Sequence, residues 1–190
     1  DHLHFAGVMF YPTVPEIRPQ IQAALAMLEA ENIPVETVSG GSSGLVHHAK
    51  DIPELTEIRM GTYIFWDWRS VTKGWATFAE CAMTIRATVV SAHDPQRVIL
   101  DSGSKTLNAE TIDGCYGYIV EYPDAKIYKL NEEHGYVDFA QTGTMPEVGD
   151  ILQIIPVHTC VVTNLHNRLY AYRGEKIESV YEVAARGLVW

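Results

Sequence analysis

His158 and Cys160 pair an imidazole with a thiol in the run Pro156-Val157-His158-Thr159-Cys160. On an extended backbone, positions i and i+2 point to the same side, so a strand over Ile151–Asn164 brings the two together. One nitrogen and one sulfur donor suit Zn²⁺ better than Mg²⁺ or Ca²⁺. Two protein ligands also leave coordination positions open, as a catalytic metal requires. A core cysteine beside a partly buried histidine is the plainer reading of the same pair.

A second cluster is Val38-Ser39-Gly40-Gly41-Ser42-Ser43-Gly44, with three glycines and three serines in seven residues. Backbone N–H groups in such a loop can curl around an anion such as phosphate, with hydroxyls as further donors. A flexible turn has the same composition. Arg59–Asp67 reads as a strand entered through Gly61, with Tyr63 either a hydroxyl donor to a ligand or a packed aromatic. Asp101–Lys105 and Glu132–Gly135 stand at the ends of expected strands, either lining a site or forming polar turns. His47 and His48 read as a solvated pair, and Cys81 and Cys115 as small buried hydrophobes.

The elements that must position these groups change character near residue 75. Leu3–Tyr11 is a short, mostly apolar run suited to a strand covered on both faces. A helix over about Glu16–Glu31 follows, with Ile21, Leu25 and Leu28 on one face and a regular start near Arg18 because of Pro19. Ile33 and Pro34 end it, and Val35–Val38 is a second strand, which completes a β-α-β unit. Beyond residue 75, strands are expected at Ala82–Ser91, Gln96–Asp101, Gly117–Glu121, Ala125–Leu130, Asp150–Ile155, Cys160–Asn164 and Leu169–Arg173. Their spacing of roughly 8–15 residues, with turn signals between, is that of an antiparallel barrel or sandwich.

Composition bounds the partners. The 190 residues carry 14 Lys+Arg and 24 Asp+Glu, a net charge of −10. That balance disfavours nucleic acid and anionic membranes, both of which reward basic patches. No apolar run is long enough to span a bilayer. Three widely spaced cysteines form no disulfide framework and point to a reducing, cytoplasmic compartment. A β-α-β piece alone cannot cover both faces and edges of a parallel sheet, so it reads as part of a larger α/β barrel.

The order of the segments carries more than any one of them. Phe5–Pro12, Ser39–Ser42, Arg59–Phe65, Ala87–Ser91, Asp101–Lys105, Glu132–Gly135, Pro156–Cys160 and Val162–Leu165 follow one another along the chain. This series resembles the D-threonine aldolase and D-serine dehydratase family of pyridoxal-phosphate enzymes, which share the alanine-racemase fold. The resemblance implies that residues 1–75 are the C-terminal strands and helices of a TIM-type, cofactor-binding α/β barrel. It implies that residues 76–190 are an antiparallel β domain with a metal site. Gly40, Gly41 and Ser42 match the loop that holds the cofactor phosphate, and Tyr63 matches a tyrosine that also reaches it. His158 and Cys160 match the metal pair, and Tyr11 is the candidate catalytic residue.

The implied activity is a metal-dependent lyase acting on D-3-hydroxyamino acids, D-threonine aldolase-like. A zinc-dependent D-serine dehydratase is the alternative. Cys160 tilts the metal toward zinc, over manganese or magnesium, and toward the dehydratase branch. The Tyr11 segment is closer to the aldolase branch, although Thr13-Val14 stands where that branch often has Gly-His. The family's Schiff-base lysine lies on the first barrel strand, whereas this chain opens, on Asp1, at about the sixth. None of Lys50, Lys73, Lys105, Lys126, Lys129 and Lys176 sits in that motif. A non-catalytic metal-binding fragment is therefore the reading from a different class. The resemblance further implies a homodimer that takes a small D-amino acid.

Overall fold

In the computed structural model, which describes residues 2–188, only the middle of the first apolar run is a strand, β1 (Gly7–Met9). A 3-10 turn at Pro15–Ile17 leads into α1 (Arg18–Ala30), with Pro19 in the first turn, where a missing N–H is no loss. The helix ends on Asn32 at φ 56°, with Ile33 N donating to Leu28 O (2.9 Å) and Asn32 N to Glu29 O (3.0 Å). That pair of reversed bonds satisfies the last carbonyls. β2 (Thr37–Gly40) then runs parallel to β1, and the short β3 (Glu57–Ile58) runs parallel to β2. The β-α-β unit is present, with a third parallel strand added. These strands form an open sheet in the order β1-β2-β3, and a whole barrel is not in this chain. Ile21, Val38, Leu45 and Ile52 are its buried core, with Val8, Phe10, Leu25 and Leu55 packed against them.

The strand expected over Arg59–Asp67 does not form. Thr62–Ile64 is a 3-10 turn, Trp66 takes φ 50°, and α2 (Trp68–Thr72) follows. Asp67 is the reason for the helix: its Oδ1 accepts from Ser70 N (2.8 Å) and Ser70 Oγ (2.6 Å), which caps the first turn. The chain clusters into two units, residues 1–64 with 73–75, and residues 65–72 with 76–190.

The second unit is built on β4 (Ile85–Asp94) and β5 (Arg97–Leu100), followed by the short α3 (Ser104–Leu107). β6 (Gly117–Ile119), β7 (Lys126–Leu130), β8 (Gly135–Asp138) and β9 (Ile151–Pro156) complete a six-stranded sheet. Its order is β6-β9-β4-β5-β8-β7, with every pairing antiparallel. Register shifts in β4 and at Ile127/Lys129 let the sheet curl. Tyr116 N, just before one edge strand, donates to Ile127 O on the other (3.0 Å), so the sheet nearly closes on itself. Val89, Val98, Leu100, Leu107, Ile119, Ile127, Val137 and Ile154 fill the interior.

After β9 one expected strand is lost, and the strand expected at Leu169–Arg173 forms with an added partner. Cys160–Asn164 is not a strand but most of α4 (Thr159–Leu165). A hairpin, β10 (Arg168–Arg173) with β11 (Lys176–Glu182), then turns at Gly174. Tyr172 fastens it by donating its hydroxyl to Gln153 Oε1 of β9 (3.0 Å). No helix among the described residues is long and apolar enough to cross a membrane.

Candidate functional site

In the first unit, the glycine-serine loop leaves the end of β2 and turns through a 3-10 segment at Ser43–Leu45. Its anchor is Thr13, which is fully buried. Thr13 Oγ1 accepts from Gly41 N (2.9 Å) while donating to Phe10 O (2.9 Å). Thr13 N donates to Gly41 O (3.1 Å), and Ser42 Oγ donates to Thr13 O (3.0 Å). The Gly41 N–H is thus committed to the protein. What Gly41 contributes to the loop is room, because a Cβ there would collide with Arg59 O. Arg59 holds the other side, through Ser39 Oγ (2.8 Å) and Phe10 O (3.0 Å). Tyr11 precedes a cis peptide to Pro12 and is 74% exposed, and Tyr63 is 49% exposed. Both phenols are free of the buried core.

In the second unit, His158 is the N-cap residue of α4, with an extended backbone (φ −147°, ψ 111°). Cys160 lies within the helix and is exposed. The strand geometry expected for the pair is therefore absent, and the two residues stand instead at the start of a helix. The Cys160 side chain holds the imidazole above its ordinary titration value. Burial works against it, and Glu110 adds through its charge and a hydrogen bond. His158 Nδ1 lies 3.2 and 3.4 Å from the two Glu110 carboxylate oxygens, and Arg69 donates to that carboxylate at 2.5 Å.

The helix carrying the pair is held from below. Asp67 is 1% exposed, and its Oδ2 accepts from Thr159 N (3.2 Å) while its Oδ1 caps α2. Arg69 N donates to Val157 O (3.3 Å). A single buried carboxylate thus starts both α2 and α4 and fixes the turn on which His158 stands. Among the described residues, no set of three or more His, Cys, Asp or Glu side chains is arranged to hold a metal. The pair is an open, two-donor arrangement, and its nitrogen and sulfur suit a thiophilic divalent cation.

The other two cysteines differ from Cys160. Burial, with the carboxylates of Asp67 and Glu80 behind it, pushes the Cys81 thiol up to about 11. Burial also raises Cys115. Asp101–Lys105 and Glu132–Gly135 prove to be one structure: Ser104 N donates to Asn131 O (2.8 Å) and Lys105 N to Glu132 O (3.1 Å). Gly103 lets the backbones meet, since a Cβ there would collide with Asn131 O and Glu132 O.

Thr13, Asp67, Arg69 and Glu110 escape the sequence reading. Asp67 alone left a local trace, the Asp-x-x-Ser spacing that starts a helix. The rest act on partners 28 to 48 residues away.

A family model described as "Putative serine dehydratase domain" matches residues 82–172. A D-threonine aldolase of Arthrobacter sp. is 32% identical over 171 residues, covering 88% of this chain and 44% of the relative. A 3-hydroxy-D-aspartate aldolase of Paracoccus denitrificans is 30% identical over 179 residues, with the same two coverages. The crystal structure of D-threonine aldolase from Filomicrobium marinum superposes with a TM-score of 0.81 at 23% identity. It covers 100% of this chain and 56% of that one. The chain spans about half the length of these relatives.

Proposed function

Because the chain belongs to the D-threonine aldolase and D-serine dehydratase-like family, we propose that it serves a pyridoxal-phosphate- and metal-dependent lyase of D-3-hydroxyamino acids. The observation that carries this reading is the meeting of His158 and Cys160 at the start of α4. In it, residues 1–75 belong to the cofactor-binding part and residues 76–190 carry the metal. The aldolase reaction leads, in line with what the two relatives are named for. The zinc-dependent D-serine dehydratase is the second reading, and the thiol of Cys160 favours it. A cytoplasmic homodimer completes the proposal, consistent with the three free cysteines.

Each residue has a stated task. His158 and Cys160 would hold the cation, with Asp67 keeping their helix in place. Held there, a divalent cation would supply Lewis-acid polarisation of a substrate hydroxyl. Gly40, Gly41 and Ser42 shape the phosphate loop, which Thr13 and Arg59 keep from collapsing. Pyridoxal phosphate held by this loop would supply an electron sink for charge at the amino acid's Cα. Tyr63 supplies a hydroxyl toward the phosphate, and Tyr11 is the candidate proton-handling group. Lys105, whose Nζ pairs with Glu133 (2.6 Å) and Glu132 (3.1 Å), belongs to the β-rich unit and is not assigned the role of the cofactor's lysine.

Elemental analysis of the purified chain, beside His158→Ala and Cys160→Ala, tests the metal assignment. Metal in the parent and much less in both variants is expected, and equal content overturns it. Conversion of D-threonine to glycine and acetaldehyde selects the aldolase, and conversion of D-serine to pyruvate and ammonia the dehydratase. Retained metal with neither conversion selects a non-catalytic metal-binding chain.

A further inference from the structure

Glu110 is far from His158 in sequence, yet it is held at both ends. Its backbone N donates to Asn108 Oδ1 (2.5 Å), and the Asn108 backbone is turned to φ 64°, ψ −171°. Its carboxylate accepts from Arg69 and faces His158 Nδ1. Arg69 is itself fixed, because its backbone N donates to Val157 O and its helix is capped by Asp67. The carboxylate is therefore placed before any ligand arrives. An ionised carboxylate only accepts hydrogen bonds, so the ring nitrogen facing it must carry a proton.

We propose that Glu110, steadied by Arg69, is the positioning residue of the His158/Cys160 pair, keeping the proton on Nδ1 and leaving Nε2 as the ring's donor atom. The inference rests on the reading of that pair as metal ligands. Outer carboxylates of this kind fix the tautomer and orientation of a ligating histidine and raise its basicity. A surface ion pair serving only stability would need Arg69 and Glu110 but would have no bearing on which nitrogen of His158 is protonated.

The test has two readouts on the full chain. Long-range proton–nitrogen NMR correlations on the metal-free protein, at a pH where the ring is neutral, report the His158 tautomer. Competition with a chromogenic chelator reports Zn²⁺ affinity. The parent is expected to show the Nδ1–H form. Glu110→Ala should lose that preference and bind Zn²⁺ about 10–100-fold more weakly, the usual effect of removing an outer ligand partner. Glu110→Asp should restore part of both. Glu110→Gln preserves shape and guards against misfolding of the alanine variant; its amide offers either a donor or an acceptor, so a mixed tautomer and intermediate affinity are expected. A folded Glu110→Ala or Glu110→Gln variant with the parental tautomer and affinity overturns the proposal. If the parent takes up no Zn²⁺, the metal reading fails separately, and the tautomer comparison still decides the role of Glu110.

Discussion

The parallel strands of the first unit and the antiparallel strands of the second solve the same problem by different means. β2 is central in its sheet, yet it presents Val38, Ser39 and Gly40 to the interior, a small and partly polar set. Ser39 spends its hydroxyl between Glu57 and Arg59. The outer strands leave Met9 and Ile58 exposed, and both sheet edges are open among the described residues. In the second unit, strand alternation drives one set of aliphatic side chains inward from all six strands, and curling brings the two edges together. Closure disposes of the edge problem that parallel strands meet only with further cover. Self-sufficiency thus follows from closure more than from the presence of regular strands.

The largest test of that contrast is to separate the units. A fragment of residues 65–188 is expected to unfold in one cooperative urea transition, and a fragment of residues 2–64 to show none, by circular dichroism. The cut must fall before Phe65, because α2 and the cap of α4 belong with the second unit. A cooperative transition in the shorter fragment would reverse the ranking.

A smaller effect sharpens it. Ile127 is fully buried on an edge strand whose partner β8 lies within the curled sheet. Ile127→Ala should cost about 2–5 kcal/mol in urea unfolding, the usual range for emptying a closed core position. A much lower cost would mean that the sheet relaxes at its seam and is closed only loosely.

The smallest expected effect is at the loop clasp. Lys105 pairs with Glu132 and Glu133 in full solvent, where screening leaves ion pairs little influence. Lys105→Ala should leave the urea midpoint unchanged within error. A clear drop would show that charge, rather than the Ser104 and Lys105 backbone bonds, joins the two loops.

These contrasts also explain what could be read in advance. Strands with alternating or continuous apolar runs, such as those at Ile85 and Ile151, were legible because burial imposes their period. The α1 start near Arg18 was legible from Pro19. The failures have separate causes. Thr159–Leu165 is rich in β-branched residues, yet it becomes a helix because Asp67 accepts from its first N–H. β11 (Lys-Ile-Glu-Ser-Val-Tyr-Glu) has no strongly buried face and left no burial pattern to find. β8 follows directly on a turn-like Glu-Glu-His, which masked its four residues. At the site, residue types exposed His158 and Cys160, whereas Glu110 and Arg69 reach them only through folding. A short-range pattern cannot encode a partner 48 residues away.

The anchoring of the first loop by Thr13 carries an evolutionary corollary. One hydroxyl both receives the Gly41 N–H and ties back to Phe10, so positions 13 and 41 form a locked couple. A replacement at 13 that lacks an acceptor strands a buried amide, while one at 41 that adds a Cβ forces Arg59 away. Sequences descended from a common ancestor that change position 13 should therefore bring a new acceptor for the amide at 41, and those that change position 41 should shift the backbone at 59. Where glycine stands at the first position, some other side chain must have taken over the lost acceptor.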